Sequence, residues 1–145
     1  MDYEGTYEVI QHTRNNSGCE TSGSGVDSGD KFFRLEERDG QLRYYTCTST
    51  TECDEFANDT RSLDQREGDD WFKLVAAAED GTDTCELQVV ERRAQPAQNG
   101  IELTREKRNT LYQMPNFACT EDEARDKRDE LECTEIETII AVTAQ

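Results

Sequence analysis

The sequence predicts a mostly β domain: an antiparallel meander closing into a small barrel, with one late α-helix and a C-terminal strand. Three observations predict it. Short runs of β-branched and aromatic residues alternate with polar ones, the period-two signature of half-buried strands. Pairs of these runs flank Asp-Gly corners, a strong short-range hairpin signal. One late segment instead carries helix-start chemistry, from Thr120. The alternative architecture is a β-sandwich or another α+β arrangement.

The first strand is expected over residues 5–13, GTYEVIQHT. Residues 15–30 are dominated by Ser, Gly, Asn and Asp and read as a long loop tied down through Cys19. Residues 32–37 and 42–47 flank Arg38-Asp39-Gly40-Gln41 and form a first hairpin. Residues 71–78 and 84–91 form a second around Glu79-Asp80-Gly81-Thr82. A connection at residues 94–99, ending in Asn99-Gly100, leads into a sixth strand over 101–105. Residues 49–70 contain Cys53, Phe56 and Leu63 and are expected to hold a short helix or an irregular strand anchored by Cys53. Thr120 is the predicted N-cap of a helix reaching about Leu131, with Glu123 at the third helical position and basic residues further along. Its buried stripe is thin, Ala124 and Leu131. Residues 135–142 close the pattern as an apolar strand entering the sheet.

Composition works against this fold. Val, Ile, Leu and Phe total 24 of 145 residues and the net charge is −17, a combination that by itself reads as disordered. Cysteine supplies the counterweight. Cys19, Cys47, Cys53, Cys85, Cys119 and Cys133 are even in number and spread along the chain, so three disulfides are expected, each worth about 2–4 kcal/mol. The six allow fifteen connectivities. One pairing is ruled out while the helix is intact: Cys119 and Cys133 would then lie about 20 Å apart, far beyond disulfide reach. Zinc is not expected, since no CxxC occurs and His12 is the sole histidine.

Disulfides place the domain in an oxidising, extracytoplasmic setting: periplasmic, cell-surface or secreted. The reading is of a domain in which Met1 replaces an export signal or a lipid-anchor segment of the full-length protein. No apolar run is long enough to span a bilayer. With 33 acidic and 16 basic residues, phosphate backbones and anionic lipid are repelled, so nucleic acid is not an expected partner. Arginine outnumbers lysine 12 to 4. Such an acidic, lysine-poor composition suits a salty environment, and GC-rich codon usage accounts for it equally.

The order of one strand, a long loop, meandering hairpins, a late helix and a terminal strand resembles the lipocalin-like (calycin) barrels. Gly5-Thr6-Tyr7 stands where that family carries Gly-x-Trp, with tyrosine replacing tryptophan. The resemblance implies a cup-shaped barrel that binds a small, usually apolar molecule, with the 15–30 loop near its mouth. Taking the more apolar parity of each strand, the inward set is Tyr7, Val9, Phe33, Leu35, Leu42, Tyr44, Phe72, Leu74, Ala76, Ala78, Leu87, Val89, Ile101, Leu103, Ile140 and Val142. The candidate ligand-binding residues within it are Tyr7, Phe33, Tyr44, Phe72, Leu87 and Leu103. A barrel filled by its own side chains is the competing reading.

Catalytic chemistry is not expected. His12 has opposite parity to Tyr7 and Val9 and is predicted to face solvent, which leaves no positioned base for a Ser or Cys nucleophile. With 33 acids, carboxylate pairs carry no information. Residues 80–83 and 27–30 could offer oxygens to calcium but read better as turns. Trp71, Tyr44, Tyr45 and Tyr112 could line an interface, and read more simply as packing. Asn15-Asn16-Ser17 and Asn58-Asp59-Thr60 match the glycosylation sequon. There is no phosphate loop or dinucleotide fingerprint, so no cofactor is expected. Two functions lead, with a hydrolase third, since that would require a cleft holding two carboxylates with separated pKa values. One is an exported non-enzymatic module holding a small apolar ligand; the other is a protein-interaction or inhibitor domain presenting a clamped loop, such as 47–53 or 15–30.

Overall fold

The computed structural model describes residues 2–19, 23–26 and 29–144. Nine strands form one antiparallel sheet: β1 (Gly5–Asn15), β2 (Ser24–Gly25), β3 (Phe32–Arg38), β4 (Gln41–Cys47), β5 (Gln65–Glu67), β6 (Asp70–Gly81), β7 (Thr84–Ala97), β8 (Gly100–Gln113) and β9 (Cys133–Thr143). Their spatial order is β4-β3-β1-β9-β8-β7-β6-β5, with β2 attached to β1. The sheet curls into a half-barrel, and the segment before β5 reaches β4 at one antiparallel bridge, Leu42 to Leu63. That architecture is compatible with the expected barrel.

The corners follow the backbone chemistry of their residues. Asp39 and Gly40 have φ of 54° and 73°, the paired left-handed conformation that a two-residue hairpin of this twist requires. The β6–β7 corner lies two residues later than its Asp-Gly signal. Asp83, at φ 56°, takes the left-handed position, while Gly81 ends β6 where a β-carbon would collide with Thr84 Oγ1. The connection expected at 94–99 is mostly strand, because β7 runs through Pro96 and turns at Gln98 and Asn99. Gly100 is required by close approach: a β-carbon there would strike the Ala141 carbonyl across the β8–β9 ladder.

Residues 49–64 resolve the expected helix or irregular strand in favour of the latter. The amides of Asp54 and Asn58 donate to the carbonyls of Thr46 and Tyr44, and Ser62 Oγ accepts from the Tyr44 amide. Leu42 and Leu63 exchange two backbone bonds. The exposed edge of β4 is thereby satisfied without a regular strand.

The helix is shorter than expected: α1 (Glu121–Asp126) followed by a 3-10 turn, Arg128–Glu130. Thr120 caps it, its hydroxyl accepting from the Glu123 amide, and Ala124 and Leu131 are its buried contacts. Cys85–Cys119 fastens its start, and Arg128 reaches Glu91 on β7 at 2.8 Å. The other disulfides are Cys19–Cys133 and Cys47–Cys53. The closed loops span 114, 6 and 34 residues for Cys19–Cys133, Cys47–Cys53 and Cys85–Cys119. Chain entropy alone makes the shortest worth about 2 kcal/mol and the longest about 5. Three disulfides fit an oxidising environment.

Two apolar clusters flank the sheet. On the concave face Tyr3, Tyr7, Phe33, Leu35, Leu42, Tyr44, Leu63, Trp71, Ala94, Ile101 and Ala141 pack together. On the convex face Ala76, Cys85, Leu87 and Val89 pack under Ala124 and Leu131. The inward set expected from parity is therefore corrected for β6 and β7. Leu74, Ala76, Ala78, Leu87 and Val89 face the helix, and Phe72 shares their parity. On β9, Ile139 and Ala141 face the concave side, so Ile140 and Val142 alternate to the other. The more apolar parity of these strands is the helix-covered one.

Candidate functional site

Strand register writes two rows across the concave face. The first runs Trp71, Ala94, Leu103, Ile139, His12 over β6, β7, β8, β9 and β1. The second, two residues further along each strand, runs Lys73, Arg92, Arg105, Glu137, Arg14. Three cations thus stand directly opposite one another, an arrangement that costs stability in a sheet.

His12 and Arg14 reach this face because β1 is bulged. The β1–β9 register shifts between Val9 and Gln11, so Ile10 and Gln11 both point outward and alternation resumes with His12 inside. The expectation of a solvent-facing His12 is corrected: its side chain is 10% exposed and its Nε2 lies 2.9 Å from Glu137 Oε2. A bulge that re-aims a side chain leaves no mark in apolar periodicity.

Glu137 is the hub of the charged row. Arg14 Nη2 donates to it at 2.6 Å. Burial pushes the Glu137 carboxyl up, but hydrogen bonds from His12 and Arg14 outweigh that and hold it below its ordinary value. Glu135 is matched as well, by Arg105 at 2.9 Å and Arg14 at 3.6 Å. Arg92 differs. Its half-buried guanidinium has no hydrogen-bond or ion-pair partner among the described residues. Burial, then the charges of Arg61 and Arg105, hold it below the ordinary arginine value. Lys73 Nζ donates only to the Asp59 carbonyl, at 2.9 Å, among the described residues.

Space on this face is unevenly divided. Between the rows, a cavity of about 30 Å³ lies among Leu35, Leu42, Leu63, Leu103, Arg92 and Ile139. It has room for about one water molecule. Beyond Arg92 and Arg105 the face opens into a groove of about 360 Å³, lined by Thr60, Lys73, Val75, Val90, Arg92 and Arg105. Small-molecule sites begin at about 300 Å³.

The structure divides the six candidate ligand residues. Tyr7, Phe33, Tyr44 and Leu103 share the concave side, Tyr7, Phe33 and Tyr44 as a stack with ring centres 5.4 and 5.0 Å apart. Phe72 and Leu87 lie on the helix side. None of the six lines the groove. The Tyr44 hydroxyl donates to Asp30 at 2.7 Å, and burial followed by that bond raises its pKa. The residues that parity missed are Lys73, Val75, Val90 and Arg92, while Arg105 shares the inward parity of Ile101 and Leu103. Their signal was present: Lys73 and Val75 occupy the parity left over by Leu74 and Ala76. It becomes readable only once the helix is known to cover the other face.

Elsewhere, Cys19, Cys133 and Glu106 approach closely enough to hold an ion, but both sulfurs are consumed in a disulfide and offer no thiolate. Of the two segments considered for calcium, Asp80, Gly81 and Asp83 form a hairpin end, while Asp27 and Ser28 lie outside the described residues. Among the described residues no helix is long and apolar enough to cross a membrane. No family model matches this chain, and neither does any curated protein or solved structure.

Proposed function

We propose that this chain is an exported, non-enzymatic binding module that holds a small molecule with an apolar part on the concave face of the half-barrel. The observation that carries the reading is the open groove of about 360 Å³ with Val75, 51% exposed, in its lining. Val75 and Val90 give this groove an apolar wall beside its polar groups, the mixed lining of a small-molecule site. The apolar core beside it is closed to anything larger than water, so the ligand sits at the mouth and not in the core. Six paired cysteines support a periplasmic, cell-surface or secreted location, soluble or lipid-anchored.

The test uses the oxidised protein and Nile red, a neutral apolar probe. Saturable fluorescence enhancement is expected, together with its loss in Val75→Trp, which fills the groove from an exposed position. No saturable binding by the parent protein would reject the reading.

A second reading, a protein-interaction domain, rests on Phe56. It is 79% exposed on the segment that follows the Cys47–Cys53 clamp. Phe56→Ala would then abolish capture of the partner while leaving Nile red binding intact.

A further inference from the structure

Resting on the groove reading above, we infer that the bound molecule carries a negatively charged oxygen head group, such as a carboxylate, sulfate or phosphate, seated against Lys73, Arg92 and Arg105.

The first support is the register. Lys73, Arg92 and Arg105 occupy directly opposed positions on three neighbouring strands, where β-carbons lie about 5 Å apart and like charges repel. Acids outnumber bases 33 to 16 in this chain, so carboxylates to neutralise such a row are abundant, yet among the described residues none forms an ion pair with Arg92, and Glu137 acts on it only from beyond ion-pair distance. Glu135 and Glu137 are already held by Arg14, Arg105 and His12. An anion entering the groove supplies the missing countercharge.

The second support is the setting. The three cations share a groove with Val75 and Val90, so charged and apolar recognition lie side by side, as a head group on a hydrocarbon stem requires. Guanidinium groups present planar pairs of donors that match oxyanions. The half-buried state of Arg92 keeps its attraction from being fully screened by salt. A molecule of net charge −17 repels anions at long range, so selectivity for one must come from contacts made in the groove itself.

The experiment is calorimetric titration of the oxidised full chain with decanoate, decyl sulfate, decyl phosphate and decanol, all below their aggregation concentrations, with Nile red binding in parallel. At least one of the anions is expected to bind about tenfold or more tighter than decanol, the size of a charged hydrogen bond. The ranking of the three identifies the head group. Arg92→Gln and Lys73→Gln should each erase that preference while leaving the circular dichroism spectrum unchanged. Arg92→Lys should keep part of it. Equal affinity for decanol and all three anions, or an anion preference that survives Arg92→Gln and Lys73→Gln, overturns the inference and leaves the groove reading standing. Failure of every ligand, Nile red included, removes both.

Discussion

Two rows of residues on one face of the same five strands, about 7 Å apart, have opposite chemistry. The row containing Trp71, Ala94 and Leu103 joins a dry aromatic cluster whose Tyr3 and Phe33 are wholly buried. The next contains Lys73, Arg92, Arg105, Glu137 and Arg14. Backbone geometry does not separate them, since the ladders run through both. What differs is that one row closes against a buried cluster and the other contains a cation, Arg92, with no hydrogen-bond or ion-pair partner among the described residues. A sheet of this kind can therefore keep its folding and its binding chemistry on adjacent pleats, and each can be perturbed alone.

The largest effect belongs to the dry row's cluster. Phe33→Ala removes a fully buried ring from between Tyr7 and Tyr44, and a loss of about 3–5 kcal/mol is expected by urea unfolding of the oxidised protein. A loss under about 1 kcal/mol would mean that this end of the half-barrel is not a packed core.

Next comes Glu137→Gln, expected to cost about 2 kcal/mol at neutral pH, because Arg14 and His12 lose a charged acceptor. The direction of its titration sharpens this. A carboxyl held below its ordinary value of 4.5 contributes stability that is present above that pH and lost as pH falls through the native-state value. The difference in stability between parent and variant should therefore shrink as the pH is lowered below about 4.5. A difference that stays constant down to pH 3 would show that Glu137 is not the group responsible.

The smallest effect has the opposite sign. Arg92→Met removes one of three opposed cations and should raise stability by about 0.5–1 kcal/mol, measured in the same urea series. Destabilisation of similar size would erase the contrast between the rows, since Arg92 would then be part of the scaffold.

How much of this was legible follows from where the information sits. Strands and hairpins are written locally, as in Asp39-Gly40, whose two left-handed residues are a turn instruction readable from the dipeptide. Thr120 and Glu123 likewise announced the helix start. Facing is different. On β6 and β7 the apolar parity follows Leu74, Ala76, Leu87 and Val89, and nothing local says that a six-residue helix and a disulfide lie over them. His12 was misplaced by one bulged residue, Ile10. The charged row was harder to assemble, because Lys73, Arg92, Arg105 and Glu137 become neighbours only through register. Cysteine pairing was out of reach for a similar reason, with Cys19 and Cys133 separated by 114 positions.

The position of β9 carries a consequence for how the molecule comes into being. It lies between β1 and β8, so the earliest long strand and the latest one are neighbours. During synthesis β1, β3 and β4 form one ribbon and β5 to β8 another, tied on one side through Leu42 and Leu63, and the last strand made is the one that pairs them on the other. Pairings so distant in sequence are slow to nucleate. The groove's cations stand on β6, β7 and β8 of the second ribbon and are aligned by neighbours in sequence; what the last strand brings is Glu137 and, paired to it, Arg14 of the first.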